Sequence, residues 1–436
     1  MNNFKASICT LGCRVNKYES DAICEKLRSV GFQIVPFGEK CDVSIVNTCT
    51  VTGEGDRKSR QHVRRAKAAS PDGYVIVTGC FAQASPEEAG KLGADAVVGN
   101  ADKDRIDEIA LSLVTGRKYS GSVGSIDNAA YDSLTISTPE RARSYIKIED
   151  GCENKCAYCI IPKARGRVRS KPSDIVCSEA AAIAAAGCSE VILTGIETAS
   201  YGKDLHGDTF TDLIEKVAEV PGIQRIAFGS LEPTALTPDF CKRVSALPQV
   251  LPHFHLSVQS GCTRTLNRMR RKYNSDAVIR AMETMRSFIP EVTFSADVIC
   301  GFPGETDEDF EESSRLLVTA GFLHLHIFPY SIRKGTEAAQ MPDQVPEDIK
   351  RKRVKELSAM QKAAQNAFLD KYISEHQTSP VYVLSEKWEN GVTNGHTEHF
   401  VECDIETETD CTGKILPVLL TGRNGSVLRA AVLSEI

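Results

Sequence analysis

No run among the 436 residues approaches the ~20 consecutive apolar positions that a membrane-crossing helix needs. The opening Met1-Asn2-Asn3-Phe4-Lys5-Ala6 lacks the long apolar region of a secretion signal. Repeats of solenoid period and low-complexity segments are missing too, which excludes a repeat array. Nor is the chain basic: its formal net charge is −6, so any contact with nucleic acid must use local patches. These absences predict a cytoplasmic protein with no membrane partner. Its length calls for two or three domains, because single cores seldom grow past ~250–300 residues. What the chain does have is cysteine, sixteen in all. Without an export signal they speak against a disulfide framework and for metal or redox use in a reducing compartment.

Three of the sixteen fall in one stretch, Gly151-Cys152-Glu153-Asn154-Lys155-Cys156-Ala157-Tyr158-Cys159, spaced C-x3-C-x2-C. They follow the alternation Tyr145-Ile146-Lys147-Ile148, which places them in a loop leaving a strand. Structural zinc wants four ligands, usually as two pairs. A four-iron cluster also takes four thiolates, so three would leave one iron free to bind a small molecule. Zinc with a remote fourth ligand stays open on spacing alone.

Upstream, residues 1–135 alternate short apolar runs with helical patterns. Strands are expected at Ala6–Leu11, Gln33–Phe37, Asp42–Val46, Tyr74–Thr78 and Ala96–Val98, with helices over Lys17–Val30 and Lys58–Ala69. Regular alternation implies a parallel, doubly wound sheet whose functional edge lies at the carboxyl ends of its strands. Cys13, Cys49 and Cys80 each follow such a strand, in Gly12-Cys13-Arg14-Val15-Asn16, Asn47-Thr48-Cys49 and Gly79-Cys80-Phe81-Ala82-Gln83. Glycine before two of them lets backbone approach a bulky inorganic core. The remaining ten cysteines read as core or incidental, including Cys262 and Cys300.

The C-x3-C-x2-C loop with Tyr158 before its last cysteine resembles the signature of the radical S-adenosylmethionine (SAM) enzymes. Together with the three upstream cysteines, Val258-Gln259-Ser260-Gly261 and Gly301-Phe302-Pro303-Gly304-Glu305-Thr306, the chain resembles their methylthiotransferase branch almost end to end. The resemblance implies two 4Fe-4S clusters, a radical one on Cys152, Cys156 and Cys159 and an auxiliary one on Cys13, Cys49 and Cys80. It also implies SAM as radical source and methyl donor, an electron donor such as flavodoxin or ferredoxin, and a sulfur source. Thr194-Gly195-Ile196-Glu197-Thr198 and Ser230-Leu231-Glu232-Pro233 are similar to the branch acting on threonylcarbamoyladenosine at position 37 of tRNA. Isopentenyladenosine in tRNA and a ribosomal-protein aspartate are the other substrates of the family. An electron carrier with two clusters and a zinc-stabilised RNA-binding protein are the readings from other classes.

Residues 136–376 carry six strand candidates: Tyr145–Ile148, Val191–Thr194, Arg225–Phe228, His253–Val258, Thr293–Val298 and His324–Phe328. Helical patterns over Asp174–Ala186, Phe210–Val220, Ser275–Phe288 and Asp309–Ala320 lie between them, so an open (β/α)6 partial barrel is expected, with its chemistry at the strands' carboxyl ends. Tyr158, Glu197, Gln259 and Gly301 are the candidates for holding SAM there. A threonylcarbamoyl carboxylate calls for at least one cation or several hydrogen-bond donors, and the basic run after the radical cluster offers Arg165, Arg167 and Arg169.

The final segment, 377–436, is expected to form a small antiparallel β-barrel from Val381–Leu384, His399–Ile405, Ile415–Leu420 and Val427–Val432. It resembles the RNA-binding TRAM domain. Yet it carries four basic residues against nine acidic ones, a poor match to phosphate. Trp388, His396, His399 and Phe400 could read bases instead, or the barrel could mainly orient the other domains.

Overall fold

The computed structural model describes residues 4–127 and 129–433. Five parallel strands open the chain: β1 (Lys5–Thr10), β2 (Gln33–Ile34), β3 (Val43–Thr48), β4 (Tyr74–Gly79) and β5 (Ala96–Val97), in the order β2-β1-β3-β4-β5. The chain reverses direction across this sheet between β1 and β3, where doubly wound sheets bind their ligands. The second strand is shorter than its apolar run suggests, because Pro36 has no N–H to give the ladder. The basic helix begins at Gly53, earlier than expected, where the Thr52 side chain accepts a hydrogen bond from the Gly55 N–H.

The second sheet system starts with β6 (Arg143–Lys147). A small antiparallel pair, β7 (Glu149–Asp150) and β8 (Arg169–Ser170), then brackets the cysteine loop. The remaining barrel strands are β9 (Glu190–Thr194), β10 (Arg225–Phe228), β11 (His253–Gln259), β12 (Thr293–Cys300) and β13 (His324–Pro329). They form two parallel three-stranded sheets, β10-β9-β6 and β11-β12-β13. Leu231 stitches the two together, donating to His255 O (2.9 Å) and accepting from the Ser257 N–H (2.9 Å). Six strands in one curved wall, each followed by at least one helix, make the expected open (β/α)6 barrel. Its outer strand faces and its helices share one continuous core with the first sheet, from Ala6 and Tyr18 through Phe228 and Leu256 to Leu357. The alternate residues line the lumen, among them Tyr145, Ile192, Ala227, His255, Asp297 and His326.

A 29-residue helix, Glu347–Glu375, leads to β14 (Val381–Glu389), β15 (Val392–Thr397), β16 (Glu402–Glu406), β17 (Ile415–Asn424) and β18 (Val427–Val432), a closed barrel. The β15 strand went unread in the sequence because Val-Thr-Asn-Gly-His-Thr does not alternate cleanly. One of its pairings, β16 with β18, is parallel, so the barrel is not wholly antiparallel.

This barrel docks on the first residues of the central strands. Arg143, which opens β6, pairs with Glu386, and Arg225, which opens β10, donates to Tyr382 O (2.6 Å). Phe400, in a left-handed turn (φ 59°), packs on the ring of His253 (centroids 5.3 Å apart) and beneath the Arg143 guanidinium (5.3 Å). It also joins the apolar patch of Ile192, Ala227 and Leu251 at the floor of the lumen. His396, Phe400 and buried His399 therefore belong to this junction rather than to a base-reading surface, and one acid of the barrel, Glu386, is spent on pairing with Arg143. Phe400→Ala should cost about 1–3 kcal/mol, less than a fully buried phenylalanine, because the ring is only partly enclosed. Urea unfolding should show the loss; an unchanged midpoint would mean that the ring anchors nothing.

Candidate active site

The radical-loop cysteines are positioned by a neck that tolerates only glycine. Gly151 has φ 97°, and a Cβ there would lie 1.9 Å from Arg167 O. The Cys152 N–H donates to Gly166 O (3.0 Å), closing the loop between β7 and β8. Beyond the neck, backbone N–H groups turn toward sulfur: Asn154 N to Cys152 Sγ and Ile161 N to Cys159 Sγ, both 3.4 Å. Arg271 Nη1 lies 3.2 Å from Cys156 Sγ. Each donor stabilises negative charge on a thiolate. Without that charge, burial pushes the thiols of Cys152 and Cys159 up to about 12.

The upstream set forms at the carboxyl ends of β1, β3 and β4. Cys13 and Cys49 flank the point where the sheet reverses direction, and Cys80 opens the short helix Cys80–Ala84. Cys13 borders open space, yet so much protein surrounds it that its thiol is pushed up. At Gly12 (φ 96°) a Cβ would stand 2.7 Å from Cys49 Sγ, and at Gly79 (φ 96°) one would stand 2.4 Å from Thr48 O. These glycines let two strand ends converge. The two cysteine sets are neighbours: Cys80 and Ala84 pack against Ile160 and Ala164 of the loop.

Neither set brings its three sulfurs within 4.8 Å of one another, among the described residues, as a single tetrahedral zinc with Zn–S near 2.3 Å would require. Three thiols on a wider circle, fed by N–H donors, fit a larger sulfur-bridged cluster. Among the described residues the one convergent group of that kind is Glu19, Asp132 and Asp150, and it holds cations already. Lys147 reaches all three, and Arg165 bridges Glu19 and Asp150.

That network overturns one expectation. Arg165 is 0% exposed, and its guanidinium is committed to Glu19, Asp150 (3.1 Å), Asn16 Oδ1 (2.6 Å) and Cys80 Sγ (3.2 Å). It holds the upstream cysteine set, not a substrate. Arg169 is likewise engaged, with Asp150 (3.4 Å) and Ile126 O (3.2 Å). Arg167 alone of the three is exposed.

Beside the radical loop, a cavity of about 480 Å3 opens at the ends of β9 and β10, lined by Asn154, Glu197, Tyr201, Glu232, Phe240 and Lys272. Asn154 Nδ2 donates to Glu232 Oε1 (3.1 Å) and, more loosely, to Glu197 Oε2 (3.4 Å). Burial, and then the Glu232 charge, push the Glu197 carboxyl up to about 7. Such a group gains from a cationic amino group beside it. Arg271 joins this cavity to the cluster loop, pairing with Glu232 (2.8 Å) while touching Cys156. Sequence reading missed Arg271 and Asn154; Arg271 was one letter in a basic run, and only the strand-end geometry singles it out. Tyr158 lies edge-on to Phe302 (6.4 Å) with its hydroxyl toward Arg271. Gln259 ends β11 in a left-handed conformation (φ 68°) that costs a non-glycine residue about 1 kcal/mol or more, a strain typical of ligand edges. Gly301 serves packing: a Cβ there would meet Lys350 Cγ at 2.4 Å.

A partial barrel with three cysteines in the loop after its first strand, and a SAM-sized cavity beside them, defines a radical SAM protein. Residues 146–317 match the Radical SAM superfamily, and residues 5–99 match the group described as "Uncharacterized protein family UPF0004". The chain belongs to the tRNA methylthiotransferase family. It is 36% identical over 94% of its length to the threonylcarbamoyladenosine tRNA methylthiotransferase MtaB of Bacillus subtilis, covering 92% of that protein. To the MtaB of Thermotoga maritima it is 36% identical over 90% of the chain and 89% of the relative. The tRNA-2-methylthio-N(6)-dimethylallyladenosine synthase of Pelotomaculum thermopropionicum is 32% identical over 96% of the chain and 95% of its own length. Among solved structures, the radical SAM methyltransferase TsrM of Kitasatospora setae shares the fold (TM-score 0.58, 14% identity, 78% of this chain and 77% of that one).

Gly12→Ala tests the convergence of the upstream set. The added methyl must displace Cys49, so about half the iron should be lost on reconstitution, as expected for one of two equal clusters. SAM cleavage should persist. Full iron content would show that the close approach is dispensable.

Proposed function

We propose that this chain attaches a methylthio group to C2 of N6-threonylcarbamoyladenosine at position 37 of tRNA. The observation that carries the reading is the face-to-face placement of the two cysteine sets, joined through Cys80, Ile160 and Ala164, in a chain whose full-length relatives bear that activity's name. Cys152, Cys156 and Cys159 would hold the radical cluster, and Cys13, Cys49 and Cys80 the auxiliary one. When bound, the clusters and SAM supply one-electron chemistry together with the sulfur and methyl to be transferred.

The chain's own residues do the rest. Arg271 and Arg165 place a fixed positive charge against one sulfur of each set. Glu197 receives the SAM amino group, Asn154 keeps it apart from Glu232, and Tyr158, whose hydroxyl faces Arg271, and Gln259 at the end of β11 are further SAM contacts. Phe400 packs on the apolar patch of Ile192, Ala227 and Leu251 at the floor of the lumen, away from the cysteine sets. The target adenosine sits in an anticodon loop, where bases are splayed out at small cost. Exposed Arg57, Lys58, Arg64 and Arg65 on the helix Gly53–Ala69, with Arg167, offer charge to its phosphates. A flavodoxin or ferredoxin as electron donor, a separate sulfur source and a cytoplasmic setting complete the proposal. So does a division of the chain at residues 135 and 376; no helix of the described residues is long and apolar enough to cross a membrane.

Alanine at Cys152, Cys156 or Cys159 should remove one cluster and abolish 5′-deoxyadenosine production under reduction. Alanine at Cys13, Cys49 or Cys80 should leave SAM cleavage intact while methylthiolated nucleoside disappears from digests of the tRNA. Robust SAM cleavage in the first set, or full turnover in the second, would refute the assignment.

A further inference from the structure

Arg14 follows Cys13 directly, yet its side chain belongs to the barrel. Its Nη1 donates to Phe228 O (3.0 Å) at the carboxyl end of β10, 214 residues away. From there its charge is felt by Tyr145 on β6 and by His253, Asp297 and His326 on β11, β12 and β13 of the other sheet. So the guanidinium stands in the lumen.

Its electrostatic situation sets it apart. Near the two cysteine sets, Arg165 pairs with Glu19 and Asp150, Arg169 with Asp150, Arg271 with Glu232 and Arg333 with Asp56. Among the described residues Arg14 has that one hydrogen bond and no carboxylate within 4 Å. The lumen does contain an acid, but Asp297 is engaged by His255 Nε2 (3.2 Å). A half-buried guanidinium held off every available carboxylate, with donors left over, is a ready receptor for an incoming anion.

We propose that Arg14 binds the carboxylate of the threonylcarbamoyl group and so selects that nucleoside. The inference rests on the substrate reading above. Its geometry comes from adenine itself: C6, whose amino nitrogen N6 bears the side chain, and C2, which receives sulfur, flank N1 on one edge of the ring. Carbon and carboxylate must be addressed from the same side at short range. Consecutive residues, with Cα atoms about 3.8 Å apart, do this: Cys13 faces the auxiliary site, and Arg14 the lumen. The isopentenyl group has no charge to offer, so it would leave the cation desolvated and unpaired.

The test uses reconstituted holoenzyme with anticodon stem-loop RNAs carrying threonylcarbamoyladenosine, its methyl ester or isopentenyladenosine at one position. Affinity and single-turnover methylthiolation are read for the native chain, Arg14→Gln and Arg14→Lys. The native chain should favour acid over ester by roughly tenfold or more. Arg14→Gln should bring the two within about twofold by weakening the acid alone, and Arg14→Lys should keep most of the preference. Retained discrimination in Arg14→Gln overturns the proposal, as does equal weakening of both RNAs, which would mark a phosphate contact or a structural role. Should Arg14→Gln fail to hold its iron, Asp297→Asn reads the same field far from the cysteines. Removing that competing charge should raise the acid-over-ester ratio by about threefold, and an unchanged ratio overturns the proposal. A native chain that modifies only the isopentenyl RNA would sink the substrate reading itself.

Discussion

Everything near the reaction depends on a buried ionic lattice between the first sheet and the barrel. Arg165, Lys103 and Lys147 meet Glu19, Asp150 and Asp132, three cations against three anions, all nearly sealed from solvent. Burial pushes the Glu19 carboxyl up, but Arg165, Lys103 and Lys147 outweigh it and hold the group well below the ordinary range. Removing one partner from such a lattice leaves an uncompensated charge, typically a loss of about 3–5 kcal/mol. An apolar core of the same volume could hold the domains together as well. It could not present Arg165 to Cys80 or orient Asn16, whose amide donates to Leu11 O (2.7 Å) and Thr48 O (2.9 Å) beside the other two cysteines. Here ionic contacts specify position more than they add stability.

The strands were legible because parallel strands buried on both faces read as short apolar runs. Arg225–Phe228 and Ser275–Phe288 stand where their patterns put them. The placement of both cysteine sets after strand ends was legible as well, because the strands before them could be read. Charge was not. Arg165, Arg167 and Arg169 lie beside the radical cluster in sequence, yet two of them point back into protein, while Arg14 crosses from one domain into another. Sequence adjacency says nothing about the direction of a long side chain, and long-range partners such as Phe228 are invisible to periodicity. Phe400 reads as a base-contacting residue for the same reason: an aromatic in a polar turn looks like a binding residue until its docking partner is seen.

The C-terminal barrel shows how net charge misleads when counted by segment. Its acidic excess includes Glu386, which meets Arg143 at the floor of the central barrel. Arg423, one of its few cations, is turned toward Asp370 on the long helix (2.7 Å). The barrel spends part of its charge on neighbours within the chain, so its net charge does not describe the surface it leaves to solvent.

The two cysteine sets differ in how far apart their members lie along the chain, and this bears on assembly. Cys152 and Cys159 are joined by a short loop whose closure costs little entropy, so this set can come together on a partly folded chain. Cys13, Cys49 and Cys80 come together only when β1, β3 and β4 have paired in parallel, a slow and non-local step. The auxiliary site is therefore a late product of folding. Any machinery that loads both sites faces two different substrates: a peptide loop in the first case and a finished domain in the second.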